Sequence, residues 1–305
     1  MGRVIAVANQ KGGVGKTTTA INLAAALALD GHLTLLVDLD PQASATTGLG
    51  LRPDEAAGTI YDVLVSGREA TDVVQRTSVG RLDVLPSTRD LVGAEIELVA
   101  LSGREQRLAT GLAPIRDRYT FVIVDCPPSL GLLTVNGLRA ADGVLVPLQA
   151  EYYALEGLTA LLATVERVRA SINPGLVLEG IVLTMFDVRN SLARQVQDEV
   201  RRHFGGQVLQ TVVPRNVRLS ESPSHGVPVL RYSPTSPGAA AYRALAVEVA
   251  ARGGCELIKK DTEAREVGNA ESTGAGPGGV APGDAGVGTH SDADPGAGGG
   301  DRPEP

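Results

Sequence analysis

A short apolar run, Arg3-Val4-Ile5-Ala6-Val7-Ala8, leads directly into Asn9-Gln10-Lys11-Gly12-Gly13-Val14-Gly15-Lys16-Thr17-Thr18. An alanine- and leucine-rich stretch, residues 16–29, follows at once. Strand, glycine loop and helix in that order leave few folds open. Glycines let the backbone wrap closely and aim its N–H groups at an anion. The helix presents the positive end of its dipole to the same point. A glycine turn that merely joined two elements would not call for Gly-Lys-Thr at the helix start. The arrangement predicts a nucleoside-phosphate cradle formed by Gly12, Gly13, Val14, Gly15 and the helix start at Lys16, Thr17 and Thr18. In it Lys16 reaches the β- and γ-phosphates and Thr17 is a ligand to Mg²⁺.

The rest of the chain repeats the alternation. Strands are expected at residues 33–38, 82–86, 121–124, 143–147, 177–185 and 208–213. Helices are expected at 90–101, 104–117, 155–170, 191–204 and 237–251. Unbroken apolar strands separated by helices predict an α/β fold: a doubly wound, mostly parallel sheet with helices on both faces. The hydrophobic share of 43% suffices for a large core, and with 3% aromatics and no Trp that core must be aliphatic. Residues 1–252 are expected to form the folded domain. Residues 253–305 read as a disordered tail, because glycine, alanine, proline and acids cannot bury enough surface to offset the entropy of ordering.

Charge sharpens this division. Residues 261–305 hold nine acids and two arginines, which accounts for the whole formal charge of −7. Residues 1–260 are therefore neutral, so any polyanion binding must come from a local patch. Two cysteines, Cys126 and Cys255, make neither a zinc pattern nor a disulfide framework, and a reducing compartment is the default. Cys126 reads as a packing residue. No stretch has the length to span a bilayer and no signal-peptide shape opens the chain, so a cytoplasmic location is expected. Only four of the 28 basic residues are lysines, and two of these, Lys11 and Lys16, flank the glycine loop.

Acids complete the expected site. Asp38 and Asp40 end the second strand and, at a spacing of two, point to the same side. Two like charges beside a phosphate loop make sense if a cation or an attacking water lies between them. Asp125 closes the strand 121–124 and is followed by Cys126-Pro127-Pro128-Ser129-Leu130-Gly131. A carboxylate placed so holds Mg²⁺, usually through water, and the stiff loop after it can act as a switch.

The loop departs from G-x-x-x-x-G-K-[ST]: Gln10 stands where the first glycine belongs, and Lys11 is added. Lys-Gly-Gly-Val-Gly-Lys-Thr-Thr (11–18) resembles the deviant Walker A loop of the P-loop family that includes the ParA partition ATPases, MinD and the nitrogenase iron protein. Longer segments are similar to the ParA/Soj branch. They are Asp-Pro-Gln-Ala-Ser-Ala-Thr-Thr-Gly-Leu-Gly (40–50), Gly-Ala-Glu-Ile-Glu-Leu (93–98), Asp-Cys-Pro-Pro-Ser-Leu-Gly-Leu-Leu-Thr (125–134), Glu-Tyr-Tyr-Ala-Leu-Glu-Gly-Leu (151–158) and Val-Pro-Arg-Asn-Val-Arg-Leu-Ser-Glu-Ser-Pro-Ser-His-Gly (213–226). The resemblance implies an ATPase, with ATP and Mg²⁺, that forms a homodimer around nucleotide. It implies that Lys11 crosses the interface to the partner's phosphates, that Asp40 orients or activates the water, and that Asp38 lies close to Mg²⁺. Pro214 and Asn216 would border the adenine.

The same resemblance implies non-specific binding to double-stranded DNA by the ATP dimer, and release when a ParB-type centromere-binding protein stimulates a weak basal hydrolysis. The expected location is thus cytoplasmic and nucleoid-associated. Arg189 and Arg218 match family positions that bind DNA. Residues 186–231 carry seven arginines against four acids, a local excess suited to phosphate contacts. A MinD-like membrane-cycling positioner is the alternative. It should end in a basic amphipathic helix, and the acidic final residues argue against that and for no membrane partner. An iron-protein-like reductase would need cysteines placed to share a cluster, which Cys126 and Cys255 do not suggest.

Overall fold

A computed structural model describes residues 2–151 and 154–254; the expected tail, from residue 255 on, lies outside the described residues. The strands are β1 (Arg3–Val7), β2 (Thr34–Asp38), β3 (Gln75–Arg76), β4 (Leu82–Leu85), β5 (Phe121–Asp125), β6 (Gly143–Gln149), β7 (Val177–Phe186) and β8 (Val208–Pro214). They form one sheet in the order β3-β4-β2-β5-β1-β6-β7-β8. Every described pairing is parallel except that of the edge strand β3 with β4. The helices are α1 (Lys16–Leu29), α2 (Ser44–Gly48), α3 (Leu91–Glu97), α4 (Arg107–Leu112), α5 (Leu132–Ala140), α6 (Ala154–Ser171), α7 (Ser191–Phe204), α8 (Val217–Glu221), α9 (Val229–Tyr232) and α10 (Pro237–Arg252).

Alternation along each strand sends neighbours to opposite cores. Val4, Leu35, Val37, Val122 and Val124 join a cluster with Leu91, Leu98, Leu133 and Leu158. Ile5, Val7, Leu36, Phe121 and Ile123 join a second cluster with Leu23, Leu27, Leu245 and Val249. Burying one such side chain contributes about 1.5–3 kcal/mol, which is why both faces of the strands are apolar. Helix α1 is buried along nearly its whole length, with the sheet on one side and α10 on the other. Its alanines permit that close approach, and the Thr19 hydroxyl meets the Tyr242 hydroxyl at 3.2 Å. Ser236 caps α10 by accepting from the Ala239 N–H, and Pro237 at its first position suits the uncapped N–H there.

The parallel sheet brings the ends of β1, β2, β5, β6, β7 and β8 to one edge. The chain leaves β1 towards β2 on one side and crosses from β5 to β6 over the other. Ligands of open α/β sheets sit in the crevice at such a reversal.

The expected helix over 104–117 is shorter, Arg107–Leu112. Pro114 has no N–H to donate to the Thr110 carbonyl, so the helix cannot run through it. Helices α2, α8 and α9 are short additions to loops, and β3 is a two-residue edge. None is long enough to print a periodic signal in the sequence.

Candidate nucleotide site

The loop after β1 is anchored at both ends. Asn9 is buried; its amide donates to the Pro147 carbonyl at 2.7 Å, and its oxygen accepts from the Lys11 N–H at 3.0 Å. Farther on, the Thr184 hydroxyl on β7 donates to the Val14 carbonyl at 2.8 Å. On either side of Val14, Gly13 and Gly15 take left-handed φ values of 76° and 86°, conformations that cost a side chain strain. A Cβ at Gly12 or Gly13 would meet nothing within 4 Å, so the loop borders open space. Gly15 precedes α1, whose first turn carries no side-chain cap. The N–H groups at Lys16, Thr17 and Thr18 are thus left for an anion.

The two lysines differ sharply. Lys16 is buried, and its ammonium donates to the Lys11 carbonyl at 3.1 Å. Burial pulls its pKa down, while Asp125 and Asp40 hold it up. Lys11 turns outward instead, with its ammonium 2.5 Å from a Glu151 carboxylate oxygen and both side chains substantially exposed.

Asp38 and Asp125 are register partners at the ends of β2 and β5, and both are fully buried. Asp38 is held locally. One oxygen accepts from the Thr46 N–H at 2.8 Å and the Thr46 hydroxyl at 2.7 Å, the other from the Asp40 N–H at 3.2 Å. Burial nonetheless pushes its pKa up to about 6. Among the described residues neither carboxylate oxygen of Asp125 has a hydrogen-bond partner. Burial, then the Asp38 charge, pushes its pKa well above the carboxylate range; the Thr17 hydroxyl and Lys16 pull the other way. Asp40 is half-buried. Its carboxylate accepts from the Gln42 N–H at 2.9 Å and its carbonyl accepts from the Ser87 hydroxyl at 2.9 Å.

A buried carboxylate without a partner, beside a threonine hydroxyl and an anion cradle, fits Mg²⁺. Among the described residues no group of three or more His, Cys, Asp and Glu side chains forms a metal cage. None is needed: Mg²⁺ at phosphate sites takes one or two protein oxygens and completes its octahedron with phosphate and water. Asp38, whose oxygens are engaged by Thr46 and Asp40, braces the loop after β2 and adds negative potential to the site.

A cavity of about 550 Å³ opens beside the phosphate loop, lined by Gly15, Thr18, Met185, Pro214, Asn216 and Tyr242 among others. The structure thus brings Pro214 and Asn216 to the same hollow as the start of α1. Asn216 also caps α8 by accepting from the Arg218 N–H at 3.0 Å. Met185 holds a left-handed φ of 50° at the cavity wall, a strain that a non-glycine residue rarely carries away from a functional site. Sequence reasoning missed Asn9, Thr184, Met185 and Glu151. Each lies at or just beyond a strand's carboxyl end, which is the signal that would have found them.

Arg189, on the loop after β7, and Arg218, on α8 after β8, are both exposed, and the Arg215 N–H donates to the Phe186 carbonyl at 3.0 Å and ties the ends of β7 and β8 together. Arg218 pairs with Glu221 at 2.8 Å, and Arg202 pairs with Glu199. The positive excess along 186–231 is therefore spread over other arginines, with Arg189, Arg215 and Arg231 all exposed.

Comparison with known proteins agrees with this geometry. A family model described as an AAA domain matches residues 2–178. The sporulation initiation inhibitor protein Soj of Bacillus subtilis is 53% identical over 253 residues, 83% of this chain and 100% of Soj. The chromosome partitioning protein ParA of Caulobacter vibrioides is 54% identical over 82% of this chain and 94% of its own length. A crystal structure of cobyrinic acid a,c-diamide synthase from Mycobacterium smegmatis with bound ADP and magnesium superposes with a TM-score of 0.73 at 40% identity, covering 84% of this chain and 98% of that one. With an engaged phosphate loop, an added lysine beside it and relatives of this closeness, the chain belongs to the ParA/Soj family of chromosome-partitioning ATPases.

Proposed function

We propose that this chain is the ATP-dependent switch of a DNA-segregation system. Two copies close around ATP, and Lys11 of each reaches the nucleotide held by the other. The closed dimer binds double-stranded DNA without sequence preference. A ParB-type centromere-binding protein speeds hydrolysis and so releases it. The place of action is the nucleoid in the cytoplasm; among the described residues no helix is long and apolar enough to cross a membrane. The partition relatives, at 53–54% identity, are closer than the 40% of the M. smegmatis structure, so the partition role is the one carried over.

The carrying observation is the contrast between Lys16, buried in its own loop, and Lys11, turned outward onto Glu151. A lysine on this loop that leaves its own cradle is available to a second nucleotide. In the hydrolytic step the oxygen of water bonds to the γ-phosphorus as the bond to the bridging oxygen breaks, and ADP leaves. Asp40 positions the water and takes its proton. Lys16 and the N–H groups of residues 12–18 hold the phosphates and offset the charge that builds on the bridging oxygen. Thr17 and the Asp125 carboxylate hold Mg²⁺, which when bound neutralises the phosphate oxygens. Pro214 and Asn216 border the base. Arg189 and Arg218 contact DNA phosphate, and pairing two copies doubles that surface and couples ATP to DNA affinity through avidity.

The deciding experiment is a gel shift on random-sequence DNA with ATP and with ADP at two salt concentrations. Wild type should shift DNA with ATP alone, less so at the higher salt, and Arg189→Glu should not. Binding that ignores the nucleotide, or none under any condition, would overturn this function.

A further inference from the structure

Helix α3 and the short 3₁₀ turn Leu98–Ala100 that continues it present an apolar stripe to solvent. Val92, Ile96 and Val99, at helical spacing, are 60%, 75% and 55% exposed, while Leu91, Ala94 and Leu98 on the opposite face are buried. Large aliphatic side chains grouped on one exposed face mark an interaction surface. Beside the stripe lies an open cleft of about 720 Å³ whose lining includes Asp54, Asp62, Asp90 and Glu97. Among the described residues that line the cleft there is no lysine, arginine or histidine, and the Arg68 guanidinium at its margin is occupied by the Ala57 carbonyl at 2.7 Å. Glu97 joins the two features: it stands on α3 and accepts from the Tyr61 hydroxyl at 2.9 Å. An apolar ridge against an acid-lined hollow is complementary to an amphipathic segment that carries both aliphatic and cationic side chains.

The surface also sits between the two loops that the hydrolytic site depends on. On the cleft side, Thr88 lines the hollow and the hydroxyl of its neighbour Ser87 donates to the Asp40 carbonyl at 2.9 Å. The Ser87 N–H in turn donates at 3.0 Å to the Thr46 hydroxyl, which itself donates to Asp38. On the other side of the stripe, Glu95 places a carboxylate oxygen against the backbone of Gly131, in the loop that follows Asp125. That Glu95 oxygen is buried and has no hydrogen-bond partner among the described residues. Helix α3 thus touches the Asp125 loop and borders the Asp40 loop.

We infer that the α3 stripe and its acidic cleft are the docking surface for a basic amphipathic segment of the hydrolysis-stimulating partner. The assignment deepens the proposed function and rests on its premise that a partner protein stimulates this ATPase. A segment seated there inserts aliphatic side chains between Val92, Ile96 and Val99 and places cations in the cleft. Its binding shifts α3 and with it Glu95 and the Ser87–Asp40 link, so that docking reaches both catalytic loops without entering the nucleotide site.

The test uses the full chain with the ParB-type protein of the same genome, read by partner binding on a biosensor and by ATP turnover with DNA. Ile96→Glu should weaken binding and lose stimulation about tenfold or more, and Ile96→Leu should restore both. Asp54→Lys should weaken binding several-fold, and the wild-type interaction should weaken as salt rises. Val247→Glu, which charges an exposed valine on α10, should change neither. Basal turnover and the ATP-dependent DNA shift should stay within about twofold in all four variants. Stimulation and binding that survive Ile96→Glu and Asp54→Lys would remove the docking assignment and leave the proposed function standing. Loss of the ATP-dependent dimer in Ile96→Glu would make the stripe a self-interface and remove it equally. A wild-type chain that neither binds nor responds to the partner would defeat the premise of stimulation itself, and the docking assignment with it.

Discussion

The Lys11 ammonium lies 2.5 Å from a carboxylate oxygen of Glu151, while the Lys16 ammonium turns inward to the Lys11 carbonyl. Two lysines of one loop therefore have separate surroundings, and the separate tasks proposed for them can be tested by mutation. The Lys11–Glu151 pair is substantially exposed on both sides, and such pairs are worth about 0–1 kcal/mol. Lys11→Ala and Glu151→Gln should each move the thermal midpoint by less than about 4 °C. Turnover of ATP should fall about a hundredfold in Lys11→Ala, the scale of losing one group that stabilises transition-state charge. Calorimetry and a phosphate-release assay check the two halves. A Lys11→Ala chain that hydrolyses normally would end the role given to this lysine.

Burial of Asp38 and Asp125 makes stability depend on pH in a definite direction. A carboxyl group whose folded-state pKa lies above its unfolded value binds more protons in the folded state, so stability declines as pH rises between the two values. For Asp38 that window runs from 3.8 to about 6, and Asp125 acts in the same sense. Mg²⁺ held by Asp125, as proposed, would favour its ionised form and offset the cost. The increase in thermal midpoint caused by Mg²⁺ and ADP should therefore be larger at about pH 7.5 than at about pH 5.5. Asp125→Asn should flatten that difference. Equal increments at the two pH values in wild type would contradict the assignment of Asp125 to the metal.

How much of this was legible beforehand follows from where each signal resides. The runs Phe121–Val124 and Leu35–Val37 are buried on both faces, so they read as unbroken apolar strands and disclosed the parallel sheet. The phosphate loop was legible because its chemistry is contiguous: glycines, Lys16 and Thr17 act within a few residues of one another. Glu151 was quoted only as part of a longer likeness, because its meaning depends on Lys11, 140 positions away. Asp38 shows the converse. Its position beside Asp40 was readable, but its engagement by Thr46 was not, since α2 is a five-residue helix that leaves no periodic trace. Edge strand β3 was invisible for the same reason: two residues cannot alternate.

The glycines of the loop make separable demands. Gly13 has a φ of 76° and Gly12 is not among the residues with positive φ, and an added Cβ at either would meet nothing within 4 Å. Gly13→Ala should therefore cost about 1–2 kcal/mol from backbone strain alone, and Gly12→Ala should cost almost nothing. Both place a methyl group in the open space over the loop, so both should weaken ATP binding about tenfold or more. Urea unfolding reports the first effect and calorimetric titration the second. A destabilised Gly12→Ala chain would show that the loop is packed rather than open.

Asn216 caps a helix and is proposed to border the base, and a pair of ligands can divide the two roles. Its side chain caps α8 at the Arg218 N–H, 3.0 Å away, and loss of such a cap costs about 0.5–2 kcal/mol. It also lines the cavity that Gly15 and Thr18 share, where the proposed function puts the base. Asn216→Asp keeps an oxygen that accepts from the Arg218 N–H and removes the amide donor. This variant should retain stability close to wild type while ATP affinity falls several-fold. Inorganic triphosphate, which has no base, should bind Asn216→Asp and wild type alike when measured by competition. Asn216→Ala should lose both stability and ATP affinity. If triphosphate affinity falls in Asn216→Asp as far as ATP affinity does, the added charge acts on the phosphates, and the base belongs elsewhere in the crevice.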